Sequence, residues 1–482
     1  MKDKFKQLGR ESFIYGVSGM LNKFIAIFLL PLYTNVLSKD ELALQALLVT
    51  TTTLAGMLAV MGMDNSAHTW YWQTEDEEDR KTTLSSWFWS FLLSSSLIGA
   101  AIAVWADPLS RALTVHNDAA SLLKLAALTL PLNVCHGVVP NFFRLRRKAV
   151  ATMWYTVASN LLLVALTVVF ILGLRHGVAG FFEAQIITGI CTTCAGLWIL
   201  RHSIAFRLAR FARLKEMLHY ALPLVPAALA FWIISLADRV FIERMVSRTE
   251  LALYQVGVML SSAVAMATGA FSAAWGPFAL SIQRRADAPL FYARVLPVYL
   301  ALGGSMVAGV ALFTKEGLHI LANPSYAASA AVVGVLSLGV LANSLSYVAG
   351  TGLALAKKSS PVTAAAFIAA AVNTILNFLL IPGWGIAGAA WSTAVSWIVY
   401  TGYIFFRSQR VHPLPYDLRR AALIVLLLAG VVFAAPYLDF GSVPLDLAVK
   451  SVAACGFIWL LFSIALPGWQ KMLRQALRPA AS

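Results

Sequence analysis

The chain has 482 residues, 59% of them hydrophobic and only 12% Asp, Glu, Lys or Arg, with a formal net charge of +15. An average soluble domain carries roughly 25% charged residues, so no water-exposed surface can be built from this composition. The same figures exclude disordered, collagen-like and disulfide-scaffold classes, and a mean hydropathy of +0.75 points to a helix bundle in lipid.

The opening MKDKFKQLGR and the apolar run behind it imitate a signal peptide. That run continues through Phe28-Leu29-Leu30-Pro31-Leu32 without a small-residue cleavage site, and it reads as a retained first span. Fourteen apolar segments are expected, at approximately 12–35, 43–63, 84–105, 119–142, 150–173, 177–200, 217–240, 251–273, 292–313, 328–353, 361–381, 386–406, 420–437 and 446–466. Lys23 stands alone in the first, about 16 Å deep at ~1.5 Å per residue from Ser12. That depth defeats snorkelling, so Lys23 is expected to face a polar cavity; a helix-locking ion pair with Glu183 or Asp238 is the alternative. Gly62-Met63-Asp64 closes the second segment. The acidic run Glu75 to Asp79 reads as a solvated loop. Lys124 lies just inside the fourth segment, where snorkelling would suffice. Cys135, Cys191, Cys194 and Cys455 all fall within apolar runs, and the Cys191/Cys194 spacing reads as packing rather than as a redox or zinc pair.

Between the sixth and seventh segments lies RHSIAFRLARFARLK, residues 201–215, with Arg207, Arg210 and Arg213 at every third position opposite Ile204, Leu208, Phe211 and Leu214. A short helix lying on an anionic leaflet is expected there, gripping lipid head groups or only anchoring the topology. Lys471, Arg474 and Arg478 repeat the pattern near the C-terminus. Asp238-Arg239 falls nearer the outer face than Lys23 by about six residues, roughly 9 Å. It reads as a gate or as a mutually neutralising pair. Pro31, Pro131, Pro223 and Pro226 interrupt spans and free carbonyls. Asn160, Asn343, Asn373 and Asn377 add polar surface or interhelical hydrogen bonds.

Of the 37 Lys and Arg, 27 fall on the side of the N-terminus, six on the opposite side (Lys39, Arg111, Arg175, Arg244, Arg248, Lys315) and four within spans (Lys23, Lys124, Arg239, Lys450). This bias places both termini in the cytoplasm. The chain also repeats itself. Ser38-Lys39-Asp40-Glu41-Leu42-Ala43-Leu44 returns as Ser247-Arg248-Thr249-Glu250-Leu251-Ala252-Leu253, and Gly177-Val178-Ala179-Gly180 returns as Gly385-Ile386-Ala387-Gly388. Six spans separate the copies, so parallel repeats about an axis along the membrane normal are expected. The organisation that follows is a six-helix lobe over 1–200, a basic amphipathic cytoplasmic linker over 201–216, a second six-helix lobe over 217–406, and two further helices with a basic tail over 407–482. Glu41 and Glu250 are expected to start helices. Phosphate-binding glycine loops, H-E-x-x-H and G-x-S-x-G on a strand-to-helix turn are absent. No catalytic residue, metal ligand or cofactor is expected, and the aqueous segments are too short for a nucleic-acid module.

Gly9-Arg10-Glu11-Ser12, Leu29-Leu30-Pro31-Leu32-Tyr33-Thr34, Gly62-Met63-Asp64, Leu222-Pro223-Leu224-Val225-Pro226 with Ala237-Asp238-Arg239, and Ala274-Trp275-Gly276-Pro277-Phe278 form an ordered series. Asn373-Thr374-Ile375-Leu376-Asn377 through Pro382 to Ala390 extends it. In these motifs the chain resembles the Wzx-type polysaccharide transporters of the MATE/flippase superfamily. Two departures stand out: Lys23 stands where many relatives carry Arg, and ELALQAL lacks a frequent aromatic-Gly pair. The resemblance implies a V-shaped, two-lobe transporter in the bacterial inner membrane. It would carry undecaprenyl-pyrophosphate-linked oligosaccharide from the cytoplasmic to the periplasmic leaflet by alternating access, for O-antigen, capsule or exopolysaccharide. Membrane lipids and a glycan polymerase with its assembly proteins are the implied partners; a coupling ion, proton or sodium, is left open. Lys23, Asp238, Arg239 and Lys124 are the expected substrate-binding residues, and Asp64, Trp232, Trp275, Asn373 and Asn377 the expected cavity-lining or gating residues. A cation-coupled multidrug exporter of the MATE type is the competing reading; it calls for unpaired carboxylates at depth.

Overall fold

The computed structural model describes residues 27–115, 119–438 and 442–467. Lys23, most of the first expected span and the stripe of Lys471, Arg474 and Arg478 lie outside the described residues.

Every regular element described is helical. In chain order the first helices are α1 (Leu30–Val36), α2 (Lys39–Val60), α3 (Met63–Gln73), α4 (Glu77–Val104), α5 (Ala106–Leu113), α6 (Ala120–Leu132), α7 (Val134–Leu145), α8 (Ala149–Val168) and α9 (Gly177–Leu200). There follow α10 (Phe211–Ala221), α11 (Val225–Leu236), α12 (Asp238–Met245) and α13 (Arg248–Ile282). The last are α14 (Ala288–Leu312), α15 (Thr314–Leu321), α16 (Ala330–Ala349), α17 (Thr351–Leu355), α18 (Ser360–Val411), α19 (Leu418–Ala434) and α20 (Val443–Ala465). Twelve stretches among the described residues are long and apolar enough to cross a membrane, so this is a multi-pass membrane protein. The 52-residue α18 runs through the expected eleventh and twelfth segments. At ~1.5 Å per residue its length is more than twice a ~30 Å hydrocarbon core. One crossing cannot hold it, and the backbone breaks at Gly385, φ 54° and ψ −134°.

The chain forms two compact units, Met1–Gln255 with Thr374–Ala389, and Val256–Asn373 with Ala390–Ser482. In the first, Tyr71, Trp87, Phe88, Val138, Phe142 and Met217 join α3, α4, α7 and α10 in one core. Leu44, Leu48, Leu123, Ala126, Val178 and Phe182 join α2, α6 and α9 in another. In the second unit α14 packs against α16, α19 and α20, and Tyr292 donates to the carbonyl of Ala279 at 2.6 Å. Of the cysteines only Cys135 is buried; Cys191, Cys194 and Cys455 are exposed on their helices. Packing therefore describes Cys135 alone, where a Cβ added at Gly196 would lie 2.8 Å from its own Cβ.

The repeat is visible in how helices start. Ser38 Oγ accepts from the Glu41 amide at 3.2 Å while the Glu41 carboxylate accepts from the Ser38 amide at 2.9 Å, a reciprocal cap on α2. Ser247 Oγ accepts from the Glu250 amide at 3.2 Å at the start of α13. Gly177 and Gly385 both take left-handed backbone, φ +57° and +54°. Three residues later Gly180 and Gly388 meet the preceding turn so closely that added Cβ atoms would lie 3.0 Å from Phe170 Cβ and 2.5 Å from the Leu380 carbonyl oxygen.

Two expectations are corrected. Residues 201–210 do not form the amphipathic helix: a single 3₁₀ turn, Phe206–Leu208, precedes α10. The amides of Ala205 and Arg210 instead donate to the hydroxyls of Ser85 and Ser86 on α4, each at 3.1 Å, so tertiary partners replace the helix's own bonds. The acidic run is solvent-exposed over Glu75 to Glu78 as expected, but from Glu77 it is the first turn of α4 rather than a loop, with Glu77 paired to Arg146 at 2.6 Å and Asp79 to Arg213.

Candidate functional site

The transmembrane helix that begins at α10 is interrupted at Ala237, between α11 and α12, and among the described residues the buried charges of the first unit gather past that point. Asp238 is 1% exposed and Arg239 5%. The guanidinium of Arg239 donates to Asp238 Oδ1 at 3.2 Å, to Gln255 Oε1 at 3.1 Å and to the carbonyl of Ser235 at 3.1 Å. Tyr254 donates its hydroxyl to Asp238 Oδ2. A charge this deep in apolar surroundings is tolerated only with such partners. The two residues read as a pair in the sequence are thus a four-residue network with Tyr254 and Gln255.

One turn further, Glu243 is 3% and Arg248 8% exposed. Arg248 donates through Nε at 3.2 Å and Nη2 at 3.0 Å to Glu243 Oε1, while Glu243 Oε2 is buried without a hydrogen bond. Sequence reading missed this pair and placed Arg248 in an aqueous loop. The signal was present as opposite charges five residues apart on either side of Val246, whose φ of −122° and ψ of −87° end α12. Between them Arg244 donates through Nε to the carbonyl of Ala112 at 3.1 Å and through Nη2 to that of Arg111. It thereby satisfies the open C-terminal end of α5.

Asp64 occupies the first turn of α3, beyond the left-handed residues Met61 and Gly62. A Cβ on Gly62 would lie 3.0 Å from the Ala221 carbonyl, so glycine both bends this span and admits α10 beside it. The buried Trp87 indole donates to Asp64 Oδ1 at 3.1 Å. On α7, Asn141 accepts from Arg144 at 3.1 Å.

The remaining expected residues stand apart. Trp232 donates to the carbonyl of Thr50 at 3.2 Å, tying α11 to α2. Trp275, 5% exposed, donates to Thr351 Oγ1 at 3.0 Å and stacks on Phe271. Asn373 and Asn377 are fully buried in α18. Lys124 is exposed on α6. Glu183, one proposed partner of Lys23, bonds the ring of His176 at 2.6 Å. In the second unit Lys450, 1% exposed, meets Glu316 at 2.5 Å. Among the described residues no three His, Cys, Asp or Glu side chains are grouped to hold a metal ion.

Known proteins share this architecture. A lipid II flippase MurJ in an inward closed conformation matches with a TM-score of 0.73 at 13% identity, over 96% of this chain and 99% of its own. An inward-facing multidrug resistance MATE family transporter of the MOP superfamily matches at 0.66 and 13%, over 85% and 96%. A MOP superfamily transporter from Pyrococcus furiosus matches at 0.51 and 15%, over 84% and 94%. At these identities the likeness establishes the fold. No curated protein matches the chain by sequence. The profile of the polysaccharide biosynthesis protein family matches residues 8–283, more than half of the chain. The chain belongs to the polysaccharide biosynthesis protein family.

Proposed function

We propose that the protein is a flippase that carries undecaprenyl-pyrophosphate-linked oligosaccharide from the cytoplasmic to the periplasmic leaflet of the bacterial inner membrane, for surface polysaccharide synthesis. Both termini are cytoplasmic, as the 27-to-6 distribution of Lys and Arg supports. The observation that carries the reading is the pairing of four described acids of the first unit that lie in its apolar segments or at their ends. Asp238 is covered by Arg239, Glu243 by Arg248, Asp64 by the Trp87 indole and Glu183 by His176. Such a unit offers a cationic drug little charge to bind. An anionic pyrophosphate needs a cation where water is scarce, and Lys23 in its apolar run provides one. Arg239 is the second cation of the binding set, held in the span by Asp238, Gln255 and the Ser235 carbonyl. The lipid tail remains in the bilayer while the head group crosses by alternating access. The polymerase and assembly proteins of the same glycan are the expected partners.

The test is glycan complementation read beside membrane abundance. Lys23→Ala and Lys23→Glu abolish surface glycan at ordinary abundance, and Lys23→Arg retains part of it, because Arg also binds phosphate. Loss of one charge contact in a partly dry cavity is worth about 2–3 kcal/mol, on the order of a hundredfold in binding. Normal export by Lys23→Ala, or drug resistance conferred by the intact protein without glycan export, would overturn the assignment.

A further inference from the structure

Beside the linker lie two grooves that the transport reading does not use. One, about 960 Å³, is lined by Trp70, Phe211, Lys215, Tyr220, Leu222 and Pro223 among others. The second, about 540 Å³, is lined by residues that include Ser86, Trp89, Leu93, Ser96, Arg210 and Phe211. Both volumes suit an organic ligand. Phe211, 81% exposed, stands between them. Each groove runs away from the linker along a membrane-spanning helix, over residues 86–96 of α4 (about 15 Å) and 211–223 (about 18 Å) at ~1.5 Å per residue.

The frame of the grooves is fixed. Ser66 Oγ donates to the Met217 carbonyl at 2.8 Å, and Arg213 pairs with Asp79. Trp70 sets its edge against Tyr220 at 5.6 Å, and Trp89 against Phe206 at 5.3 Å. The charges at the mouth are unequally used. Arg213 also lies 3.8 Å from Glu216, the one acid lining the larger groove. Arg210 lines the smaller groove and Lys215 the larger, and Arg207 follows Phe206, another residue of the smaller groove, in the 3₁₀ turn; all three are exposed, and none makes an ion pair with another described residue.

We infer that this is a binding site for one anionic diacyl phospholipid, its phosphate held by Arg207, Arg210 and Lys215 and one acyl chain lying in each groove on either side of Phe211. Apolar grooves alone would accept any lipid; three uncommitted cations at their head select a negative one. A cation beside an anionic head group contributes about fivefold, so three together give a preference on the order of a hundredfold over a zwitterionic lipid. A lipid so held would clamp the linker to α4.

The full chain, purified in detergent, is titrated with dioleoylphosphatidylglycerol or dioleoylphosphatidylcholine, and bound lipid is counted by native mass spectrometry. One phosphatidylglycerol should be retained about a hundredfold more tightly than phosphatidylcholine. The triple variant Arg207→Gln, Arg210→Gln, Lys215→Gln should bind both alike while melting as the wild type does in lipid-free detergent. If that variant is poorly folded, Arg210→Gln alone should lower the preference about fivefold. Ser96→Trp keeps every cation but fills the smaller groove, and it should weaken phosphatidylglycerol retention. Equal retention of the two lipids by the wild type, an undiminished preference in the cation variants, or unchanged binding by Ser96→Trp would each overturn the site. Displacement of phosphatidylglycerol by equimolar undecaprenyl phosphate would also overturn it, by assigning the grooves to the transport substrate.

Discussion

Replacing Arg239 by alanine takes the guanidinium from a carboxylate that is 1% exposed. Removing one partner of a buried ion pair costs about 3–5 kcal/mol, because the surviving charge stays desolvated. The Tyr254 hydroxyl still donates to Asp238 Oδ2 and softens the loss, which places the expected cost near 3 kcal/mol, about a hundredfold in the folded-to-unfolded ratio. Arg239→Lys keeps the charge but not the fork that reaches Asp238, Ser235 and Gln255 together, and should cost about 1–2 kcal/mol. Adding Asp238→Asn to Arg239→Ala removes the stranded charge and should recover most of the folded protein. The assay is thermal melting of the detergent-solubilised chain beside membrane abundance and surface glycan. Unchanged melting of Arg239→Ala would refute the energetic coupling of the pair. Restored abundance with full glycan export in the double variant would remove Arg239 from the binding set.

Three further outcomes are expected. Alanine at Gly177 or Gly385 forces a left-handed backbone, costing about 1–2 kcal/mol. At Gly177 the new Cβ meets only the movable end of the Glu41 side chain, whereas Gly385 combines its positive φ with a ψ of −134° that other residues adopt at greater cost, so Gly385→Ala should melt at least as low as Gly177→Ala, and unchanged melting of either variant would contradict the strain. Lys450→Met strands Glu316 and should cost about 3 kcal/mol, largely recovered by adding Glu316→Met; single and double variants of equal stability would show that the pair is inconsequential. Cysteines replacing Arg111 and Lys315 should react with an impermeant thiol reagent from the periplasm and those replacing Arg146 and Arg210 should not, the reverse pattern refuting the topology.

What could be read from the sequence was local. The serine and glutamate three residues apart at Ser38 and Ser247, and the glycines at 177 and 385, act within a few residues of themselves, and the structure shows them as helix starts and left-handed turns. Asp238 and Arg239 were legible because charge inside an apolar run is rare. The linker misled because three-residue spacing of Arg also suits a non-helical stretch, and the deciding hydroxyls, Ser85 and Ser86, lie more than a hundred residues earlier. The acidic run likewise finds its arginines 69 and 134 positions away. Trp275 shows the same limit: an indole in an apolar helix can face a core or a cavity, and only the fold brings Thr351 to it.

The duplicated helix starts have a consequence for how such a chain can change. At the offset of 209 that aligns Ser38 with Ser247, Trp232 falls on Lys23, and Asp238 and Arg239 fall on Leu29 and Leu30. Leu29 and Leu30 are 5% and 0% exposed, as deeply placed as the charges that stand in the other copy. The shared devices are those that begin and turn helices, whereas Lys23 and Arg239 have no cationic counterpart in the sister half. A duplicated scaffold of this kind holds one copy's architecture in reserve for the other. Chemistry at a given depth can be rewritten in one half without disturbing the fold of its twin, so cargo preference and folding can evolve separately.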